Sequence, residues 1–294
     1  MASFQSKLFY VFLRLIHKKS WLRNQLVLRR YNLYHYPLPP KNTTENSVVC
    51  KGQINNRNIF TLTPKNKTHA THILYFHGGA YVQGFTKPHW HFLTELVQLS
   101  GCAITAPDYP VAPKFSCKDT FALVTALYEQ LLHTIAAENI VLMGDSAGGG
   151  IALALAQKIK EERLPQPGKL LLLSPWLDIA LENPAINDLD RVDPFSGVRA
   201  LRQAGKLYAG DLRTDHYWVS PIHGPLDGLG QISVFAGSKE IFVADTRKLK
   251  ALTTAKGIAI NYYEYADMVH AWMFLHFPES QKAKRQIIEL LLHA

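Results

Sequence analysis

The stretch IVLMGDSAGG, residues 140–149, joins a continuous apolar run to small residues that open an alanine-rich region. An apolar run without alternation is typical of a strand buried on both faces of a parallel sheet. Residues 144–148 then have the spacing Gly-x-Ser-x-Gly, which presents a serine nucleophile on a sharp turn between a strand and a helix. The alternatives are an ordinary glycine-rich turn or a phosphate loop, but no Gly-Lys-Ser/Thr sequence supports the latter. We therefore predict that Ser146 is a nucleophile.

Apolar runs and helical patterns alternate on both sides of this stretch. Such alternation predicts an α/β fold with a mostly parallel central sheet that is covered by helices on both faces. The predicted strands are residues 59–63, 71–76, 102–106, 140–143, 170–173, 232–235 and 261–265. The predicted helices of this part are residues 88–99, 118–135, 147–162, 197–208, 246–255 and 279–292.

A second glycine-rich element, His-Gly-Gly-Ala at residues 77–80, ends another apolar run. Because Gly78 and Gly79 have no side chains, the backbone there can approach a substrate closely and donate N–H groups. The helix that begins at Ala147 aims further N–H groups and the positive end of its dipole at the same place. We therefore predict an oxyanion hole at which the loop of Gly78 and Gly79 and the helix start at Ala147 converge.

These two elements together resemble the hormone-sensitive-lipase branch of the α/β-hydrolases, a group of bacterial esterases and lipases. The resemblance covers about residues 58–293, and DYPVAP (108–113), SPWLD (174–178) and VSPI (219–222) match in register. It implies an α/β-hydrolase fold with a helical cap, and hydrolysis of short- to medium-chain carboxylic esters. In this family the oxyanion donors are the later loop positions and the residue after the serine, here Gly79, Ala80 and Ala147, so the resemblance adds Ala80 to the predicted oxyanion hole of Gly78, Gly79 and Ala147. Ala80, Pro110 and Lys114 depart from the family's usual Gly, Arg and Glu.

A serine nucleophile needs a base and an acid that orients the base, and in this fold both follow the serine along the chain. His270 follows the last predicted strand and precedes the final helix, which resembles the family's catalytic-histidine loop. The other histidines after Ser146 fall in the inserted region, its exit loop or the terminal segment. We therefore predict His270 as the base.

Three carboxylates are candidates for the acid. Glu240 aligns with the family's aspartate at the end of a strand, and a glutamate can orient the histidine equally well. Asp245 lies five residues later, but we expect it to cap the helix that starts at Thr246. Asp267, in the loop before His270, is expected to have a structural role. Glu240 is therefore the predicted acid and Asp245 is the alternative.

The length of 294 residues and the position of the motifs predict one catalytic domain with an accessory cap. We assign residues 46–181 and 223–294 to the catalytic core, and residues 1–45 and 182–222 to the cap. Aromatic residues are candidates for lining the substrate pocket, although each could equally be a packing residue. They are Trp21, Tyr31, Tyr34, Trp176, Tyr208 and Trp218.

The N-terminal segment carries most of the charge, because residues 1–45 contain eight Lys or Arg and one acid and so supply +7 of the net +9. Residues 2–31 are expected to form two helices, the second of them capped by Ser20. Phe4, Leu8, Val11, Phe12 and Leu15 recur at helical spacing, which predicts packing on the protein core. Binding to an anionic membrane is the less favoured alternative. Nucleic-acid binding is not expected, since no recognised motif accompanies the charge.

Other partners and functions follow from composition and from the predicted site. Cys50, Cys102 and Cys117 suggest neither a disulfide framework nor a zinc site, and a cytoplasmic location fits them best. An acyl-serine route needs no cofactor or metal, and its partner is a small ester molecule. The resemblance also allows a homodimer. The alternative functions are an amidase or peptidase, or a non-catalytic binding protein like the plant gibberellin receptors, which lack the histidine found here at position 270.

Overall fold

The apolar runs of the sequence form the centre of an eight-stranded sheet in a computed structural model, which describes residues 2–29, 36–66 and 68–293. The strand order is β1-β2-β4-β3-β5-β6-β7-β8. β1 and β2 are antiparallel to their neighbours, and the other strands are parallel to one another. The strands are β1 Ser47–Ile54, β2 Arg57–Pro64, β3 His72–Phe76, β4 Ala103–Pro107, β5 Ile140–Asp145, β6 Lys169–Leu173, β7 Gln231–Gly237 and β8 Asn261–Tyr265.

Helices cover both faces of this sheet. In chain order they are α1 Phe4–Leu15, α2 Ser20–Val27, α3 Lys41–Asn46, α4 Lys87–Ser100, α5 Cys117–Leu132, α6 Ala147–Glu161, α7 Ile186–Val192, α8 Val198–Ala209, α9 Val243–Ala255 and α10 Pro278–Leu292. Helices α5, α6 and α9 contribute to the core on one face, while α4 and α10 contribute to the core on the other. The predicted fold class is therefore confirmed.

The central strands show why apolar runs without alternation occur. Leu142 and Leu172 point into one core, whereas Val141 and Leu171 point into the other, and all four are buried. A strand that is covered on both faces needs apolar residues at successive positions. The parallel strands end at one edge of the sheet, so the segments that follow β3, β5, β6 and β7 meet there.

Three short elements, α3, β1 and α7, were missing from the sequence prediction. Strand β1 lies at the edge of the sheet and is mostly exposed, so its residues carry no apolar pattern. It is joined to β2 by Asn55 and Asn56, which both have positive φ, as a tight hairpin turn requires. Helix α7 lies within a polar, proline-punctuated stretch. In addition, the cap predicted at Ser20 is wrong, because Ser20 is already the first residue of α2 and Lys19 precedes it as the cap.

The predicted packing of the N-terminal helix is also wrong. Phe4, Leu8, Val11, Phe12 and Leu15 are all exposed, and α1 instead packs on the protein through the opposite side, where Leu13 is buried. Helical spacing shows that apolar residues share one face, but it does not show what that face contacts. No helix within the described residues is long and apolar enough to cross a membrane.

The segments assigned to the cap contact each other beside the sheet. Helix α2 packs against α8, Lys19 forms a salt bridge of 2.8 Å with Asp190, and the Tyr10 hydroxyl donates to the Val192 carbonyl at 2.9 Å. Helix α3 behaves differently. It packs on α4 and β1, where Thr94 Oγ1 donates to Thr43 Oγ1.

Candidate active site

The turn between β5 and α6 holds Ser146 in an unusual backbone conformation, with φ 53° and ψ −119°. Non-glycine residues seldom adopt positive φ, and such strain persists only where the surroundings impose it. Here the Ser146 N–H donates to the Leu173 carbonyl at 2.9 Å, and its carbonyl accepts from the Trp176 N–H at 2.9 Å. Both partners flank the end of β6. The neighbouring strand therefore holds the turn, and Ser146 keeps 7% of its surface exposed.

The two motif glycines are needed for the close approach of the chain on either side of this turn. A Cβ on Gly144 would lie 2.4 Å from the Gly148 carbonyl carbon, and a Cβ on Gly148 would lie 1.9 Å from the Phe76 carbonyl oxygen. Both distances are far below van der Waals contact. Neither position can therefore accept a side chain unless the backbone moves.

Asp145 connects the nucleophile turn to the glycine-rich loop after β3. Its Oδ1 accepts from the Tyr75 hydroxyl at 2.5 Å and from the Gly78 N–H at 2.8 Å, and its Oδ2 lies 3.5 Å from His89 Nε2. Burial alone would raise the pKa of Asp145, but His89 and these two donors outweigh burial and hold the pKa below its usual value. No role for Asp145 is predicted from the sequence, because its partners come from β3 and α4 and no motif spacing links them.

This contact corrects the prediction for Gly78. Its N–H is directed to Asp145, so Gly78 is not available as an oxyanion donor. Within the described residues, no hydrogen bond to a protein acceptor is found for the N–H groups of Gly79, Ala80 and Ala147. Gly79 has φ +125° and a Cβ there would lie 2.6 Å from the Gln83 carbonyl oxygen, so only glycine fits. These three N–H groups remain the candidate donors.

Gly78→Ala is expected to destabilise the protein, since the added Cβ would lie 2.2 Å from Asp145 Oδ2. Such overpacking in a core typically lowers the free energy of unfolding by about 1–3 kcal/mol. Gly52→Ala is the control, because a Cβ at Gly52 meets nothing within 4 Å. Chemical denaturation of both variants measures the difference. Equal stability of the two variants would contradict this account of the loop.

His270 and Glu240 form a buried pair at the same edge of the sheet. His270 Nδ1 lies 2.6 Å from Glu240 Oε2, and the other carboxylate oxygen, Oε1, accepts from the Gly237 N–H at 2.8 Å. Glu240 is fully buried, while His270 keeps 7% of its surface exposed. The Ala271 N–H next to the histidine donates to Ser174 Oγ at 3.2 Å, directly after β6. The predicted base and acid thus meet beside the strand that holds the Ser146 turn.

The surroundings favour the protonated form of His270. Burial lowers its pKa, but the hydrogen bond and negative charge of Glu240, together with the charges of Asp193 and Asp145, outweigh burial and raise the pKa above its usual value. With Glu240 at Nδ1, that nitrogen carries a proton and Nε2 is left to accept one from a hydroxyl. A general base requires the neutral ring in this tautomer, with its proton on Nδ1 and Nε2 free.

The two alternative carboxylates lie in other environments. Asp245 is in the first turn of α9, which begins at Val243, so the predicted cap of a helix from Thr246 is wrong. Its Oδ1 accepts from Asn183 Nδ2 at 3.0 Å, and burial raises its pKa to about 6. Asp267 forms a salt bridge of 2.9 Å with Lys239. The carboxylate that pairs with His270 is instead Glu240.

Asp193 is a buried carboxylate near the site that no motif in the sequence indicates. Its Oδ1 accepts from the Phe195 and Ser196 N–H groups at 2.7 and 2.9 Å, and its Oδ2 accepts from the Ile241 N–H at 2.9 Å. Burial raises its pKa to about 6. It thereby fastens the inserted segment to the residue after Glu240. Phe195, held in this way, has its ring centroid 5.5 Å from that of His270.

The aromatic candidates for the pocket separate into two groups. Tyr208 stacks on Tyr81 with ring centroids 3.9 Å apart, and Trp176 packs against Tyr81 at 5.2 Å, next to the oxyanion loop. Trp218 stacks on Phe121 at 5.0 Å, and Trp21 lies under the Lys18 ammonium at 4.1 Å. Tyr31 and Tyr34 lie outside the described residues.

Metal-binding side chains are not clustered in the part of the chain that the structure describes, where no group of three His, Cys, Asp or Glu could hold an ion. The cysteines are unpaired. Cys102 and Cys117 are buried and Cys50 is exposed.

The fold, the serine turn and the histidine–carboxylate pair are together those of a hydrolase, and the chain belongs to the α/β hydrolase fold family, whose model matches residues 73–274. An acetyl-hydrolase of Streptomyces hygroscopicus is 29% identical, over 72% of this chain and 72% of the relative. An esterase of Acinetobacter venetianus is 29% identical, over 74% and 73%. A solved hormone-sensitive lipase from a metagenome library has the same fold, with a TM-score of 0.84, 24% identity and 97% of both chains covered.

Proposed function

We propose that this protein hydrolyses short- to medium-chain carboxylic esters through an acyl-serine intermediate. One observation carries the proposal, namely that the His270–Glu240 pair lies at the edge of the sheet where the strained Ser146 turn is held. The names of the relatives support it, since one is an esterase and another is a hydrolase of acetyl groups.

In this proposal, Ser146 Oγ attacks the ester carbonyl while His270 Nε2 takes its proton. Glu240 stabilises the imidazolium that results and keeps the ring in its orientation. The N–H groups of Gly79, Ala80 and Ala147 bind the oxyanion, and each such donor typically contributes roughly 3 kcal/mol. His270 then protonates the leaving alkoxide, and a water molecule activated by the same ring releases the acid.

The raised pKa of His270 determines the expected pH dependence. Only the neutral ring can accept the proton of Ser146, so activity should fall as the pH drops through a pKa above the usual value for histidine.

We further propose that two segments form a cap over the catalytic core of residues 46–181 and 223–294. The inserted segment 182–222 and the N-terminal residues belong to it, which the salt bridge between Lys19 and Asp190 and the contact of α2 with α8 support. The packing of α3 on α4 suggests that the cap ends before Lys41 rather than at residue 45.

An ester and an amide of the same acyl group test the reaction class. We expect p-nitrophenyl butyrate to be hydrolysed much faster than the p-nitroanilide of butyrate, because the ester has the better leaving group and the relatives are esterases. The ratio of kcat/KM is the measurement, and an acyl-chain series from acetate to octanoate gives the preferred length. Faster cleavage of the anilide would favour the amidase alternative, and hydrolysis of neither would favour a binding protein.

We propose a cytoplasmic location on the basis of the cysteines. Unpaired thiols, two of them buried, are typical of proteins in reducing compartments.

A further inference from the structure

Helix α1 presents an apolar stripe to solvent. Phe4, Leu8, Val11, Phe12 and Leu15 lie on one side of the helix, and their exposed fractions are 78, 59, 50, 51 and 73%. The helix is attached through the opposite side, where Leu13 is buried and Phe9 stands in ring contact with Phe277 at 5.5 Å. The stripe is therefore the side of α1 that faces away from the domain to which the helix is attached.

Single exposed apolar residues are common on protein surfaces, but a continuous stripe of large ones is unusual and marks an interaction site. The α1 stripe contains two phenylalanines and three aliphatic residues on consecutive helical turns. A helix with this side exposed and its other side attached to a folded domain can lie flat on an apolar partner without unfolding.

The charge around the stripe indicates the chemistry of the partner. Residues 2–29 contain six Lys or Arg and no Asp or Glu. Lys7 and Arg14 are both exposed and lie along one border of the stripe. An apolar stripe bordered by basic residues fits the interface of an anionic bilayer, where apolar side chains enter the acyl region and cations meet phosphate groups.

A basic cavity lies next to this border. It has a volume of about 350 Å³, is framed by α1, α2 and the segment 190–200, and is lined in part by Arg14, His17, Arg23 and Arg199. Its acidic lining residues are engaged, since Asp190 pairs with Lys19 and Asp193 accepts three backbone N–H groups. The cavity is therefore suited to an anionic headgroup beside the stripe.

We propose that the α1 stripe, defined as Phe4, Leu8, Val11, Phe12 and Leu15, docks this protein on the surface of an anionic phospholipid bilayer. Helix α1 lies in the plane of the interface, and Lys7 and Arg14 contact the headgroups. From the sequence alone, membrane contact is the less favoured alternative to packing on the core. The exposure of the α1 stripe makes it the favoured one.

The stripe lies on the cap side of the active site. The Tyr10 hydroxyl holds the Val192 carbonyl, and Phe195 lies between the Lys18 ammonium, 5.2 Å from its ring, and the His270 ring at 5.5 Å. Docking thus brings the catalytic side of the molecule, rather than its opposite edge, towards the lipid. Docking does not depend on catalysis, so it can be tested even if the proposed ester hydrolysis is wrong.

Co-sedimentation of the full chain with vesicles tests the proposal. The wild type should sediment with vesicles of phosphatidylglycerol and phosphatidylcholine, and much less with phosphatidylcholine alone or at high salt. Leu8→Glu/Phe12→Glu should bind roughly 100-fold or more weakly, because two large apolar side chains no longer enter the bilayer. Leu99→Glu is the matched control. Leu99 is also exposed, at 55%, but it lies at the end of α4 on the opposite edge of the sheet, so this variant should bind as the wild type does.

A charge variant tests the second half of the proposal without altering the stripe. Lys7→Ser/Arg14→Ser should lower the affinity for anionic vesicles by roughly tenfold or more. All variants change exposed side chains, and thermal unfolding should show that they fold as the wild type does.

Three results would overturn the proposal. They are failure of the wild type to bind anionic vesicles, wild-type binding by both double variants, and a lipid-free dimer in light scattering that Leu8→Glu/Phe12→Glu converts to a monomer. The last result would assign the stripe to a second copy of this chain.

Discussion

Ser146→Ala is expected to lower kcat/KM for p-nitrophenyl butyrate by roughly 10⁴- to 10⁶-fold, the range found when the nucleophile of a serine hydrolase is removed. No other group in the proposed site can form the acyl intermediate, because His270 acts as the base and the loop contributes only backbone N–H groups. Residual turnover would come from the oxyanion donors and from substrate binding.

Two measurements separate this effect from loss of the fold. Thermal unfolding of Ser146→Ala should match the wild type, and a fluorophosphonate probe should add one adduct to the wild-type mass and none to that of the variant. Ser20→Ala, at the partly exposed start of α2, serves as the control and should keep full activity. An active or labelled Ser146→Ala protein would mean that another residue is the nucleophile.

The sheet and the nucleophile turn could be predicted because their determinants are local. Residues 140–143 are apolar at every position since the strand is covered on both faces, and Gly144 and Gly148 are small because neighbouring backbone leaves no room. His270 and Glu240 follow strand ends, and in a parallel sheet such ends meet at one edge. Chain order and sheet geometry therefore bring the predicted base and acid together.

Other features depend on tertiary contacts that no sequence pattern contains. The N–H of Gly78 is directed to Asp145 because β3 and β5 are neighbours and both turns leave the sheet at the same level. Asp193 lies in an insertion whose path is not periodic, so its contact with the Ile241 N–H could not be anticipated. For α1, the spacing of Phe4 and Leu8 indicates that they share one face of the helix, and the same spacing would be seen if that face were covered by the protein or exposed to solvent. Whether that face is covered is decided by the surface beneath the helix.

Glu240→Gln is expected to lower kcat by roughly 10⁴-fold, as neutralising the acid does in related triads. In the present pair, Oε1 accepts from the Gly237 N–H while Oε2 faces His270 Nδ1. A glutamine that keeps its oxygen on Gly237 presents an NH₂ donor to Nδ1, which favours the tautomer with its proton on Nε2. That nitrogen then cannot accept the proton of Ser146.

The pH profile of Glu240→Gln distinguishes this role from a structural one. Burial lowers the pKa of His270, and the hydrogen bond and charge of Glu240 are the largest influences that raise it. Without that charge the pKa of His270 should fall, so the acid limb of the pH profile of the residual activity should move to lower pH. A purely structural loss would reduce kcat and leave the limb where it is.

Asp245→Asn is the matched carboxylate control for the choice of acid. Asn keeps an oxygen for Asn183 Nδ2, so kcat should change little. Because burial raises the folded-state pKa of Asp245 to about 6, its ionisation opposes folding as the pH rises through that range. The variant should therefore unfold at an equal or higher temperature than the wild type at alkaline pH. If Asp245→Asn instead loses more activity than Glu240→Gln, the acid that orients His270 is Asp245, and its side chain must then leave Asn183 to reach the ring during catalysis.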